Sequence, residues 1–369
     1  MKRKIALKYL LILMAIIPGF STYAQYIKYQ PDKPGKFIYD NRLDKCPGVD
    51  VPTIQNKLTT IVEWVRQNNP VIEHPTGFDA LVHLTGDYWN ANPKNEDFGN
   101  RSSIAFLFSG LHLEKDGSTG TSGNAAHYTE IFINSPFYYI GTRFDEVGFQ
   151  TDDPPHLKQP LEKALANLKR YFTTHPIIKE IAPGVRLYDP GSGNRFTGVL
   201  LVFNPDRPEF WIPVTVKEIM EAKLEYYKVK KEIDRVNQEK MLAAWAKMNF
   251  TPDPGQVPTT TVYDEIKKEY ENFTDEELNR PAFLGSGEQY GVSGINARGD
   301  GVAVVRFNPE CWDRSLPVSS VQFMTLRYRS ATAQELEEFI PRNLGLTDFE
   351  GIFYNNLPIE KMGVLIDRK

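Results

Sequence analysis

The stretch Gly198–Met248 reads GVLLVFNPDRPEFWIPVTVKEIMEAKLEYYKVKKEIDRVNQEKMLAAWAKM and holds both kinds of regular structure. Gly198 to Phe203 is almost wholly apolar, as a strand covered on both faces must be. Asn204-Pro205 then closes it, because proline cannot donate to a ladder. From Thr215 to Met248 runs the longest helical stretch of the chain, about 50 Å at 1.5 Å per residue. Its middle, Lys228 to Lys240, is highly charged, with only Val229, Ile233 and Val236 apolar. So narrow a stripe predicts a protruding or coiled-coil-like helix and, through it, a homodimer.

Working towards the N-terminus, Val51 to Asn68 carries Ile54, Leu58, Ile61, Val62 and Val65 at helical spacing and stops at Asn68-Asn69-Pro70. Phe78 to Thr85, Ser103 to Glu114 and His127 to Asn134 are β-rich and joined by polar loops, which predicts an antiparallel meander with the helix on one face. A helix is expected from about Gln159 to Thr173, where Leu161, Leu165, Leu168 and Phe172 repeat at three and four residues. Towards the C-terminus, Pro252, Pro254, Gly255 and Pro258 form the clearest linker. Val262 to Phe273 follows as a helix, Thr274 to Glu277 as a capping box, Gly301 to Phe307 as a strand, and Thr332 to Glu335 as a second box. The fold class is α+β, antiparallel sheets packed with amphipathic helices and one long charged helix. The expected divisions are a leader at 1–24, an α+β domain at 25–150, a middle domain with the long helix at 151–250 and a C-terminal α+β domain at 251–369.

Sliding the chain by 104 residues lays Phe203-Asn204-Pro205 on Phe307-Asn308-Pro309, Pro213-Val214 on Pro317-Val318 and Met220 on Met324. That agreement suggests an internal duplication of a helix-turn-strand unit relating the last two divisions. Residues repeated in this way are architectural, so Asn204 and Asn308 are expected to cap loops.

Of the 369 residues, 41% are hydrophobic and 24% charged, the composition of a folded chain. Lys2, Arg3 and Lys4, then the apolar run Tyr9 to Ile17, then Thr22-Tyr23-Ala24 before Gln25 have the form of a secretory signal peptide. The apolar run is about half the ~20 residues of a membrane span, and no later segment is long and apolar enough to be one. Localisation is therefore expected to be secreted or periplasmic, after cleavage near Ala24. Losing Lys2, Arg3, Lys4 and Lys8 leaves 39 basic against 47 acidic residues, a net charge of −8. Such a surface repels nucleic acid and anionic lipid, although a negative total does not exclude a local basic patch. Only Cys46 and Cys311 are present, which in an oxidising compartment invites one disulfide. Two separate buried thiols are the other reading.

All six histidines lie in the first half of the chain. If the hairpin across Lys115–Ala126 is symmetric, Glu114 faces His127 and His112 faces Thr129, since antiparallel partners keep a constant index sum. His112, Glu114 and His127 would then offer the ligand set of an open zinc site, the only cofactor suggested. A slip of register separates them. No nucleophile elbow, phosphate loop or paired-carboxylate spacing occurs. Adjacent acids such as Asp152-Asp153 diverge on the backbone. Asp87-Tyr88-Trp89-Asn90-Ala91-Asn92 sets two flat rings among amides and a carboxylate, able to stack on a sugar face or grip an extended peptide. Asp87, Tyr88, Trp89, Asn90 and Asn92 are therefore the expected ligand contacts.

These features point to a secreted or periplasmic, non-catalytic binding or structural protein of the cell envelope. Its partner would be an envelope or extracellular macromolecule, a glycan or a peptide. The alternative is a secreted hydrolase, metal-dependent through His112, Glu114 and His127.

Overall fold

The computed structural model describes residues 28–45, 48–87, 101–121, 127–135, 141–144, 146–189, 198–249, 261–285, 294–328 and 353–369. The chain begins with β1 (Lys28–Tyr29), β2 (Phe37–Asp40), α1 (Val51–Asn68) and the single turn α2 (Pro70–Glu73). It continues through β3 (Phe78–Asp87), β4 (Arg101–Leu113), β5 (Thr119–Thr121), β6 (His127–Ile133) and β7 (Gly141–Arg143). Next come α3 (Lys158–Leu168), β8 (Tyr171–Thr174), β9 (Ile177–Ala182), β10 (Val185–Tyr188), β11 (Gly198–Phe203), β12 (Trp211–Pro213) and α4 (Val216–Lys247). Last are α5 (Val262–Asn272), the turn α6 (Asp275–Leu278), β13 (Phe283–Leu284), β14 (Ile295–Asn296), β15 (Val302–Phe307), β16 (Phe323–Tyr328) and a 3-10 helix, Ile359–Leu365.

The protein is α+β, as its periodicities predict. A large sheet has the order β2-β3-β4-β6-β16-β11-β10-β9, and a smaller one β14-β13-β15-β8-β7 with β12 beside β15. Strands β3, β4 and β6 form the expected meander. β16 enters between β6 and β11, so stretches 25–150, 151–250 and 251–369 share the large sheet. The linker expected near 250, the leader at 1–24 and the box at Thr332 lie outside the described residues. Among the described residues no helix is long and apolar enough to cross a membrane.

One face of the large sheet is closed by α1, whose Ile54, Leu58, Ile61, Val62 and Val65 are buried against Val82, Phe106 and Ile131. Asp50 caps this helix by accepting from Thr53 N at 3.3 Å. The C-terminal segment fills the same core. Phe353 packs at a tilt against Phe106 at 5.1 Å and Asp367 accepts from Lys57 of α1 at 2.6 Å. On the other face, over β10, β11 and β16, Phe210 packs edge-on against Trp211, Phe307 and Phe323, at centroid distances of 4.8, 4.9 and 5.5 Å. This aromatic seam joins the two sheets, and α3, α4 and α5 cover the far side of the small one.

One expectation changes. The helix expected to Thr173 ends at Leu168, and Phe172 belongs to β8 opposite Val305. Tyr171-Phe172-Thr173-Thr174 is aromatic and β-branched throughout, and the sheet claims it although Phe172 keeps the helical rhythm. Of the stripe on α4, Ile233 is fully buried in the core shared with Ile266 of α5, while Val229 and Val236 are partly exposed.

Elements α3 and α5, and likewise β11 and β15, begin 104 residues apart with equal lengths, but the two strands belong to different sheets. Met220 lies on α4 and Met324 on β16, so the correspondence ends after the Asn-Pro turns. Those turns are alike. Asn204 Oδ1 accepts from Asp206 N at 3.0 Å, and Asn308 Oδ1 accepts from Glu310 N at 3.1 Å. They also interlock, for Asn308 Nδ2 donates to Glu209 O at 2.8 Å and Arg207 donates to Glu310 O at 2.6 Å.

Candidate binding surface

Asp87 is the last residue of β3 and pairs with Arg101, the first of β4. The stretch expected to bind ligand therefore begins at this corner of the large sheet. Tyr88, Trp89, Asn90 and Asn92 themselves lie outside the described residues. The sheet beside the corner is built from buried polar groups. Ser103 Oγ donates to Glu130 at 2.7 Å, Thr325 Oγ1 to Ser135 O at 3.2 Å, and Asn134 Nδ2 to Ser320 O at 2.8 Å. Asn134 also accepts from Gln322 N at 3.0 Å and holds φ at 54°, a left-handed turn that asparagine tolerates. These bonds tie β4 to β6, and the residues after β6 to β16 and the turn before it.

His112 Nε2 lies 3.0 Å from Glu114 Oε1, as alternation along β4 requires. The register of His127 differs from the symmetric hairpin. A tight turn, with Glu114 N donating to Ser118 O at 2.8 Å, sends β5 back along Leu111–Leu113, so that His112 faces Gly120. β6 can then pair only further down β4, and His127 comes opposite Phe108 rather than Glu114. Thr129 likewise comes opposite Phe106 rather than His112. Among the described residues no group of three or more His, Cys, Asp or Glu side chains is placed to hold a metal ion.

Cys46 lies outside the described residues. Cys311 is a free thiol packed against the aromatic seam, and burial pushes its pKa up to about 12 despite the opposing charge of Arg207. Beyond the seam, the outer face of the meander carries a polar row in which Asp40 neighbours His83 and His83 neighbours Ala105. Arg42 donates to both oxygens of Asp40, at 2.8 and 2.7 Å, and holds that carboxyl down at about 2. His83 Nδ1 is 3.9 Å from Asp40. Asp40 is thus an ion-paired acceptor beside a half-exposed imidazole, with no nucleophile in contact among the described residues.

The most distinctive surface belongs to α4. Its start is fixed by a capping box: Glu218 N donates to Thr215 Oγ1 at 3.2 Å and Thr215 N to Glu218 at 2.9 Å. Val216, Ile219, Met220, Tyr226 and Ile233 are then buried. A strap from Val147 to Asp153 crosses the helix, with Tyr226 donating to Val147 O at 2.7 Å and Asn237 to Asp153 at 3.2 Å. Lys240 reaches Asp152 O at 3.1 Å. Beyond that point Leu242 is 36% exposed and Met248 66%, and Ala243, Ala244, Ala246 and Lys247 are also exposed. A groove of about 1010 Å³ runs beside the helix from Lys228 to Met241 and ends at Thr261–Tyr263. Lys231 bridges to Asp264 there at 2.7 Å and holds that carboxyl near 2, while Arg235 pairs with Glu232 and Glu239.

The sequence did signal this end of α4, since Met241-Leu242-Ala243-Ala244-Trp245 breaks the charged pattern before it; only its exposure was not readable. The edge strand β9 was missed altogether, and there Ile177 and Ile178 are half exposed. Comparison with models of known families, with curated proteins and with solved structures returns no match to this chain.

Proposed function

We propose that this chain is an exported, non-catalytic binding or structural protein of the cell envelope, with the free end of α4 as its contact arm. The supporting observation is a contrast within one helix. Its N-terminal turns are locked by a capping box, a buried stripe and a crossing strap, whereas its last turns leave Leu242 partly and Met248 largely exposed. Exposed apolar side chains on a rigidly mounted helix are the physical form of a binding element. The stretch Asp87–Asn92, which begins at the end of β3, is a second contact for a glycan or peptide under the same reading.

A photo-crosslinking residue at position 242, in cells exporting the protein, tests the arm. The expected result is a light-dependent adduct with an envelope component that is absent from the same probe at Lys267, exposed on α5. Adducts at neither site, or equally at both, would remove the arm from the proposal.

A further inference from the structure

We propose that the last turns of α4, Lys240 to Asn249, dock on an anionic phospholipid surface; this rests on the envelope reading above and names the partner of its contact arm. From Met241 to Met248 every residue but Lys247 is apolar, and from Lys240 to Asn249 there is no acid. The preceding stretch, Lys228 to Lys240, is by contrast dominated by charge of both signs.

At 100° per residue, Lys240 and Lys247 share one side of the helix, while Met241, Leu242, Trp245 and Ala246 lie towards the other. Lys240 is held at the root of the arm by two neutral acceptors, Asp152 O at 3.1 Å and Asn237 Oδ1 at 3.4 Å, so neither contact pairs it with a carboxylate. An apolar side opposite a pair of lysines is the pattern of a helix that lies in a membrane interface, its cations among the headgroups and its apolar side chains beneath them. This is the local basic patch that the net charge of −8 leaves room for. A second copy is a poorer occupant, because two arms meeting tip to tip bring their lysines together without an acid in either arm to pair them. Nucleic acid would leave Leu242 and Met248 unused.

The test is flotation of the full mature chain with vesicles of phosphatidylcholine, with and without about a third of phosphatidylglycerol. Each lysine near an anionic surface contributes about a factor of five, so binding to the anionic vesicles is expected to be roughly ten- to thirty-fold tighter and to weaken with salt. Lys240→Gln with Lys247→Gln should remove that preference. Leu242→Asp with Met248→Asp should abolish flotation without changing the thermal melt, since both side chains are exposed. Equal binding to the two vesicle types, no binding to either, or wild-type flotation by the aspartate variant overturns the proposal. So does a concentration-dependent dimer that the aspartate variant loses, which would give the arm to a second copy. If flotation fails while the adduct at position 242 persists, the lipid is wrong and the contact arm stands; if both fail, the arm falls too.

Discussion

Ile233 is fully buried, whereas Leu242, further along the same helix, is 36% exposed. Ile233→Ala should therefore cost about 2–5 kcal/mol in urea unfolding, and Leu242→Ala no more than about 0.5 kcal/mol. Equal costs would mean that α4 does not pack as described. Cys311 gives a second expectation. Its thiol is raised from 9.0 to about 12 by burial, so on a Cys46→Ser background it should resist alkylation at pH 8 until the protein unfolds. A folded-state pKa above the unfolded value means that this group's contribution to stability is intact below about 9 and is lost as pH rises towards 12. Alkylation of the native protein at the rate of a free thiol would show that the site is open. Not every residue is so readable. Asn204 and Asn308 announce their capping role, because an asparagine before proline at the end of an apolar run favours a turn, but His127 cannot announce its register.

At the scale of elements, local periodicity carries most of the information. Val51–Asn68 and Gly198–Phe203 are found with the bounds expected, and the long helix runs between its expected end residues, Thr215 and Met248, as caps. Each of these runs combines a strong period or apolar block with a chemical stop, and none depends on distant chain. The helix ending at Leu168 shows the limit. Phe172 satisfies the helical spacing but is taken by a sheet whose facing strand, β15, lies far along the chain. Asp87 is legible as the end of a strand, while the exposed end of α4 needs the tertiary structure to reveal what leaves it uncovered. Capping offers the test at this scale: Thr215→Ala removes one half of a reciprocal box and should cost about 1 kcal/mol, measured by urea unfolding. No loss would mean that packing alone sets where α4 begins.

For the whole molecule, the C-terminal segment and the first helix are joined in one core. Phe353, Tyr354, Leu357, Ile359, Met362 and Ile366 are buried in the cluster that α1 covers. At about 1.5–3 kcal/mol each they contribute as much as the ~5–15 kcal/mol by which a typical domain is stable. Removing residues 353–369 should therefore leave a chain without a cooperative thermal transition; a truncated protein that still melts sharply would show that this segment is an accessory. The sheet order itself is not legible, because which strands meet depends on contacts far apart in sequence that no local pattern records. That order bears on how the protein is made. β16 lies between β6 and β11, yet it is synthesised after both. Until the ribosome has passed Tyr328, the two halves of the large sheet each wait with an open edge, and nothing can zip them together. Until then the edges of β6 and β11 have no partner between them, and unpaired edges of that kind invite aggregation.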